Sequence, residues 1–547
     1  MIVKKKIFLV SMFIVILLLG VTVVSASTNT TKITKDTNPT KVIKNTDNKV
    51  QKTVLTKEKN KITKNNTKKV TKTVKKEQNK TKTGVFESKT KEKTSTNLTK
   101  NTIKNIKMDY NLVNLNYYYD FEGLYYGDFP GPDVKINITR DLTADDMCDF
   151  PYVINSQYKN VLIEGNNHTI KGIGEFLEIP NGVSLIIENV TITGCNSFST
   201  RSGGVFYNNG ELTIINSTFL NNKARESGGV IYNDNGNVTV SNSTFQENSA
   251  EYGGAISLTG GTVKVNNSTF YNNSAEIGGA IQINEGNVIV DNNSHFIENY
   301  LLSDNDMATG GAISAWDVNS ELNVTNTSFI GNRGYSGSAI DSIMNTNVNH
   351  SLFENNTSIL QGTILRMGTK GNFKIEDSVF KNNTSGKGSA VWSRGPMTIL
   401  NTSFVNNTAE NGTFYCYNGT VSLKNCTFEN NSATNDGGGI YTNYQTESFV
   451  IEDTYFINNT ATIAGAIYNN GTITVRNSNF TENKATLAGA FYNENGRFYL
   501  YGNVFHNNTP ENFALTQQDD NTWIKLINKD GYLIDTGYGV DIYIKME

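Results

Sequence analysis

The sequence predicts an all-β protein built as a parallel β-helix solenoid of about 14 coils, and three observations lead there. The first is the motif Phe-x-x-Asn. It occurs at Phe219/Asn222, Phe245/Asn248, Phe270/Asn273, Phe296/Asn299, Phe329/Asn332, Phe353/Asn356, Phe380/Asn383, Phe404/Asn407, Phe428/Asn431, Phe456/Asn459, Phe480/Asn483 and Phe505/Asn508. Successive Phe are 26, 25, 26, 33, 24, 27, 24, 24, 28, 24 and 25 residues apart, and a fixed period in this range marks a solenoid or array. The second is strict alternation upstream of each Phe, with pairs such as Leu212/Ile214, Val238/Val240, Val263/Val265 and Ile473/Val475 separated by Thr, Asn or Lys. β-Branched residues at period two read as strand. Only the Phe296 copy is shifted by one residue, with Val288 and Val290 in those places. The third is a glycine signature about eleven residues after each Phe. It reads Gly253-Gly254-Ala255-Ile256 and Gly278-Gly279-Ala280-Ile281, degrading to Gly337-Ser338-Ala339-Ile340 and Ala464-Gly465-Ala466-Ile467. Glycines permit a corner, and the bulky residue behind them opens another strand.

About three strands and three corners in ~25 residues make one coil, stacked about 4.8 Å from the next. Equivalent residues then form columns, so the twelve Phe and the Ile/Val pairs make one continuous core. The Asn after each Phe is expected at a corner, bonding the amide of the next coil. A propeller blade needs roughly 40 residues, and the Leu/Asn consensus of leucine-rich repeats is absent.

The elements follow in chain order. Residues 1–26 read as a secretory signal: Lys4, Lys5 and Lys6, an apolar run from Ile7 to Val24, and the small-residue exit Val24-Ser25-Ala26. Uncleaved, the same run is long enough for a signal anchor, the one membrane contact expected. Residues 27–107 read as a disordered stalk. Residues 28–107 hold 23 Lys and 6 Asp/Glu, a net of +17, with too few apolar groups to fold. Total charge is -3 and the first 27 residues carry +3, so residues 108–547 carry -3 - 17 - 3 = -23. The Tyr-rich stretch 108–158 is expected to cap the first coil and 159–508 to form the β-helix, with weaker coils at Val161-Leu162-Ile163 and Ser184-Leu185-Ile186-Ile187. Residues 509–547 read as a C-terminal cap or partial immunoglobulin-like strands, Trp523–Ile527 and Val540–Ile544 around the turn Asn528-Lys529-Asp530-Gly531. A whole such domain needs about 100 residues.

The coils carry little reaction chemistry. A glycosidase needs two carboxylates facing one bond, and a lyase needs a base with cation-binding acids. The adjacent acids Asp145-Asp146 and Asp519-Asp520 lie outside the coils. Within them Glu247, Glu298 and Glu429 are isolated, and His168, His295, His350 and His506 fall in different coils. No catalytic, cofactor-binding or metal-binding residue is therefore assigned, and no cofactor is expected. The 33-residue coil, around Tyr300-Leu301-Leu302-Ser303-Asp304-Asn305-Asp306, holds a loop that is either plain and solvated, ligand-contacting, or a weak Ca²⁺ candidate. Cys148, Cys195, Cys416 and Cys426 allow two disulfides in an exported chain, or four free thiols. Asn-x-Ser/Thr triplets such as Asn216-Ser217-Thr218, Asn242-Ser243-Thr244 and Asn401-Thr402-Ser403 are glycosylation candidates.

The pairing of Gly-Gly-Ala-Ile with Phe-x-x-Asn resembles the repeats of the chlamydial polymorphic outer membrane proteins. It is still more similar to the adhesin-like surface proteins of methanogenic archaea. The resemblance covers about residues 200–508 and the Lys/Thr/Asn-rich leader. It implies a right-handed β-helix exported to the cell surface. The chlamydial proteins end in a membrane barrel, for which the residues after 508 leave no room, and this favours the archaeal relatives. The expected function is a non-enzymatic, extracellular, cell-surface rod attaching to cells or extracellular polymers. Its partners are an unidentified surface glycan or protein and, through the basic stalk, the anionic cell envelope; nucleic acid is not expected. The alternative is a secreted polysaccharide lyase or hydrolase on the same scaffold.

Overall fold

Repetition of the same side chains at one spacing gives the chain the same path in every turn. The computed structural model describes residues 110–144, 152–172, 174–197, 202–305 and 308–516, with the strands Trp523–Leu526, Ile534–Asp535 and Asp541–Ile542 beyond. The signal segment, the basic stalk, Cys148, Asp145-Asp146 and Asp519-Asp520 lie outside the described residues. Among the described residues no helix is long and apolar enough to cross a membrane.

Each coil after the first contributes three strands to three faces, pairing in parallel with the neighbouring coils. The Phe face has 15 strands, from Leu142–Thr143 to Val504–His506. A face of longer strands carries the alternating aliphatics, for example Glu211–Ile215, Asn237–Ser241 and Arg497–Tyr501. The face opened by the glycine signature has three-residue strands such as Ile231–Asn233 and Ile467–Asn469. Two long strands, Ile256–Asn266 and Ile281–Asp291, run through the corner between the last two faces and join them into one 30-stranded sheet.

The aliphatic face counts sixteen rungs, two more than the sequence suggested. Asn111–Leu115 and Asp133–Ile138, in the stretch expected to be a cap, are themselves rungs. Val134 and Ile136 stand in the columns of Val161/Ile163, Leu185/Ile187 and Leu212/Ile214. What covers this end is the excursion between those two rungs, a 3₁₀ turn Tyr118–Phe121 and a one-turn helix Glu122–Tyr126. Asp120 starts the excursion by accepting the Asn116 and Tyr117 amides at 3.0 Å, and Phe121 packs edge-on against Phe176 at 4.9 Å.

At the other end Phe513–Thr516 adds in parallel to Phe491–Asn493 and then pairs antiparallel with Trp523–Leu526. Reversing strand direction ends the parallel stacking there. Asp541–Ile542 pairs with Ile534–Asp535 and not with the strand at Trp523.

The one-residue shift before Phe296 is absorbed locally. Val288 and Val290 keep the register of Val263/Val265 and Leu322/Val324. The extra residue sits at the following corner, where Asn292 and Asn293 are both left-handed with φ of 53° and 63°. Asparagine adopts that conformation at low cost because its short amide bonds locally.

Candidate functional site

Twelve Phe rings stack in one file inside the Phe face, from Phe219–Phe245 (centroids 5.0 Å) through Phe329–Phe353 (4.9 Å, 1° between planes) to Phe480–Phe505 (4.8 Å). Strand register dictates this arrangement, because parallel in-register rungs place identical rings one strand spacing apart. Three residues on, Asn222, Asn248, Asn273, Asn299, Asn332, Asn356, Asn383, Asn407, Asn431, Asn459, Asn483 and Asn508 form a ladder at the corner. Each amide is fully used. Asn356 Nδ2 donates to Asn383 Oδ1 at 3.0 Å and back to the Phe329 carbonyl at 2.9 Å. Its Oδ1 accepts both the backbone and side-chain N–H of Asn332, at 2.9 and 3.0 Å.

Two further features of the corners flanking the Phe strand were not read from the sequence. The residue just before the ladder is left-handed in every coil, usually Asn, as at Asn272 and Asn355, but Glu at 247, 298 and 482 and Gly at 331. Glu247 and Glu298 share one exposed position. At the preceding corner a buried hydroxyl ladder runs through Ser217, Ser243, Ser268 and Ser294. Each hydroxyl donates to a nearby carbonyl and accepts the amide of the coil before, as in Ser217 N–H to Ser243 Oγ at 3.1 Å. This explains the repeated triplets. In Asn216-Ser217-Thr218 and Asn242-Ser243-Thr244 the Asn makes the left-handed turn, the Ser joins the ladder and the Thr opens the Phe strand.

The described cysteines are free and buried, and two of the three occupy polar-ladder positions. Cys426 takes a hydroxyl's place, its Sγ 3.3 Å from the Lys424 carbonyl. Cys195 heads the Asn ladder, its amide donating to Asn222 Oδ1 at 3.1 Å. Burial pushes all three thiols up to about 12, so they are un-ionised at neutral pH.

Among the titratable groups outside these ladders, three sets bear on reaction chemistry. Histidines are dispersed; His168 faces Asp141 at 3.3 Å and His350 faces Asp377 at 3.6 Å. Glu164 and Glu188 stack on neighbouring rungs of the aliphatic face. Burial, and then the hydrogen bond shared with Glu164, raise the Glu188 carboxyl to about 7, so the pair keeps a shared proton well above the usual carboxylate range. The third is Asp341, 1% exposed although it points outward from the glycine-opened face. It stacks between Ser314 and Leu365, and accepts the Trp316 indole N–H at 3.1 Å. Burial raises its carboxyl to about 6. The folded state therefore binds the proton more tightly than the unfolded chain, and stability contributed by this group falls as pH rises from about 4 to 6. Asp341→Asn, which keeps an acceptor for Trp316, is expected to gain up to about 3 kcal/mol at pH 7 and to flatten that slope. Denaturation midpoints of both proteins between pH 4 and 8 check it; an Asn variant weaker at pH 7 contradicts it.

The one large departure from periodicity builds a groove. From Ser274–Ala275 to Ser432–Asp436 seven coils carry an additional strand, making a fourth, short face. The long loop of the 33-residue coil leaves this face after Tyr300–Leu301. Beside it lies an open groove of about 490 Å³ lined by Asn272, Glu298, Tyr300, Leu301, Asp304, Arg333, Gly334, Thr357 and Ile359. Two acids and one guanidinium thus share a depression with apolar side chains. Among the described residues no group of three or more His, Cys, Asp or Glu is placed to hold a metal.

Comparison with family models gives the same fold. No curated protein matches the sequence. Two solved structures of the Streptococcus pneumoniae surface adhesin PfbA are similar. One is 10% identical, covering 66% of this chain and 92% of that one with a TM-score of 0.27; the other is 13% identical, covering 71% and 91% with a TM-score of 0.25. The model of the right-handed β-helix region matches residues 151–295 and 361–509, more than half of the sequence and most of the stacked coils, so the chain belongs to the right-handed β-helix family.

Proposed function

We propose that this protein is an exported, non-enzymatic surface rod of the adhesin-like type, attaching to cells or extracellular polymers, on the lines of the adhesin-like proteins of methanogenic archaea. The observation that carries the reading is where the polar groups go. Across the repeat, Asn amides and Ser/Thr hydroxyls hydrogen-bond to the next coil, as between Asn407 and Asn431 at 3.0 Å, while Phe and aliphatic side chains fill the inside. The repeated residues build a stiff scaffold, and binding falls to what departs from the repeat. The rival reading, a carbohydrate-active enzyme, draws on Glu298 and Asp304 lining one groove. Incubating the purified protein with plant, host and cell-wall polysaccharides separates the two. Attachment without release of reducing ends supports the rod; release abolished by Glu298→Gln or Asp304→Asn supports the enzyme.

Retention at the surface is assigned to residues 1–107. The +17 stalk binds the anionic envelope, and an uncleaved Ile7–Val24 segment adds a membrane anchor. Exposed charge contacts are screened, with a Debye length near 8 Å at physiological salt and about 3 Å at 1 M. Washing isolated envelopes in 1 M salt is expected to strip the cleaved protein, and deleting residues 28–107 to release it into the medium. Retention in high salt without the stalk and without a membrane anchor would place the attachment in the β-helix itself.

A further inference from the structure

We infer that the groove beside the long loop is a binding site for a neutral polysaccharide chain. The inference rests on the attachment reading and names its ligand. The lining comes from four successive coils, at Asn272, Glu298, Arg333 and Thr357, so the groove extends about 14 Å along the stack at one strand spacing per coil. Its 490 Å³ lies within the usual range for small-ligand sites.

Gly334 lies in the lining but turns inward: a Cβ there would meet Leu301 Cδ1 at 3.2 Å and the Ser336 carbonyl oxygen and Ser338 Cα at 3.4 Å, so the outward face of the groove at this coil is set by Arg333. The φ of Gly334 is not in the left-handed region, so the turn itself does not require glycine. Apolar surface is exposed along the same face: Leu302 at 55% and Ile359 at 56%. Isolated apolar residues on a surface need no explanation, but these adjoin a groove with hydrogen-bonding ends.

Those ends are Glu298, Asp304, Arg333 and Asn272. The Glu298 side chain lies across the next coil, its Cγ 3.4 Å from where a Cβ on Gly331 would stand. Carboxylates, a guanidinium and an amide supply acceptors and donors for hydroxyls. Tyr300, Leu301 and Ile359 supply apolar surface for the C–H faces of sugar rings. Charge selects among polymers. Two acids against one base, on a body of net charge -23, disfavour an anionic chain. A protein partner would use the same groups, and is an outcome of the test.

The test uses the full chain in affinity gel electrophoresis with soluble galactomannan, xylan or laminarin, and with polygalacturonate as the anionic comparison. Variants are Ile359→Ser, Arg333→Gln and Glu298→Gln, which alter exposed groove side chains that the fold does not need. Lys264→Ala, on the aliphatic face, is the control. Circular dichroism checks that each variant is folded. Retardation by at least one neutral polymer, weakened on the order of tenfold or more in the groove variants and unchanged in the control, is the expected result. Retardation that all three groove variants retain overturns the groove but leaves the attachment reading. No retardation by any neutral polymer, or polygalacturonate retardation that the groove variants weaken, overturns the neutral-glycan assignment; polygalacturonate retardation that they retain is the basic stalk's. Release of reducing ends overturns the non-enzymatic reading beneath it.

Discussion

Asn356→Asp is expected to cost about 3–5 kcal/mol at neutral pH, although it exchanges one NH₂ for one oxygen. The amide nitrogen of Asn356 lies 2.9 Å from the Phe329 carbonyl and 3.0 Å from Asn383 Oδ1. An oxygen there turns two donated bonds into two repulsions between lone pairs. Asn356 is fully buried, so the new charge is also held away from water. Acid should soften the loss, because the protonated carboxyl is neutral and regains one donor. Denaturant unfolding at pH 7 and pH 3 reads both effects. An Asp variant as stable as the parent at pH 7 would mean that the ladder is not formed. Stacked repeats need not unfold as one unit, so hydrogen exchange of the flanking coils shows whether the damage stays local.

Gly254→Ala should be comparably severe, by about 3 kcal/mol or more, for a steric reason. In the Gly-Gly corner the first glycine supplies the turn, Gly253 having a φ of 62°. The second supplies room. A Cβ on Gly254 would stand 2.2 Å from the Gly279 carbonyl oxygen and 2.6 Å from that of Ser274. Both belong to the backbone of the next coil, so no side chain can rotate away; the coils must separate. Gly253→Ala is strained for a different reason, since alanine tolerates the left-handed region at Ala464 and Ala488 only at a cost of roughly 1–2 kcal/mol. Thermal melts of both variants rank the two effects, and Gly254→Ala should be the worse.

What the sequence displayed was whatever repeats as a large or unusual side chain. Phe, Asn and paired glycines stand out at fixed spacing, and strand register does the rest. The first two rungs were hidden because they lack both signatures: Val134 and Ile136 fill the aliphatic columns in the second, and Asn111 and Val113 take those places in the first. The hydroxyl ladder was hidden because Ser and Thr also populate exposed strand positions, and its bonds link residues such as Ser243 and Ser268, 25 apart. Asp341 was invisible for a related reason. Alternation places it on the outer side of its strand, where solvent is the default, yet the neighbouring corner and Trp316 bury it. The groove follows from an interruption of the period. The 33-residue spacing located the loop, but not which side chains from the three neighbouring coils meet beside it.

Register is the claim on which the columns, the ladders and the groove all depend, and a disulfide cross-link measures it directly. With the four native cysteines replaced by alanine, Thr239 and Lys264 are register partners on adjacent rungs of the aliphatic face, with side chains pointing outward. Adjacent strands lie about 4.8 Å apart, within reach of a disulfide, whereas rungs two coils apart are separated by about 9.6 Å, beyond the limit of about 7 Å. Cysteines at 239 and 264 should therefore oxidise to an intramolecular bond. Cysteines at 213 and 264, which the Thr213–Thr239 pairing places two coils apart, should stay reduced. Cross-linking of the 213/264 pair, or failure of the 239/264 pair, would contradict the stacked register.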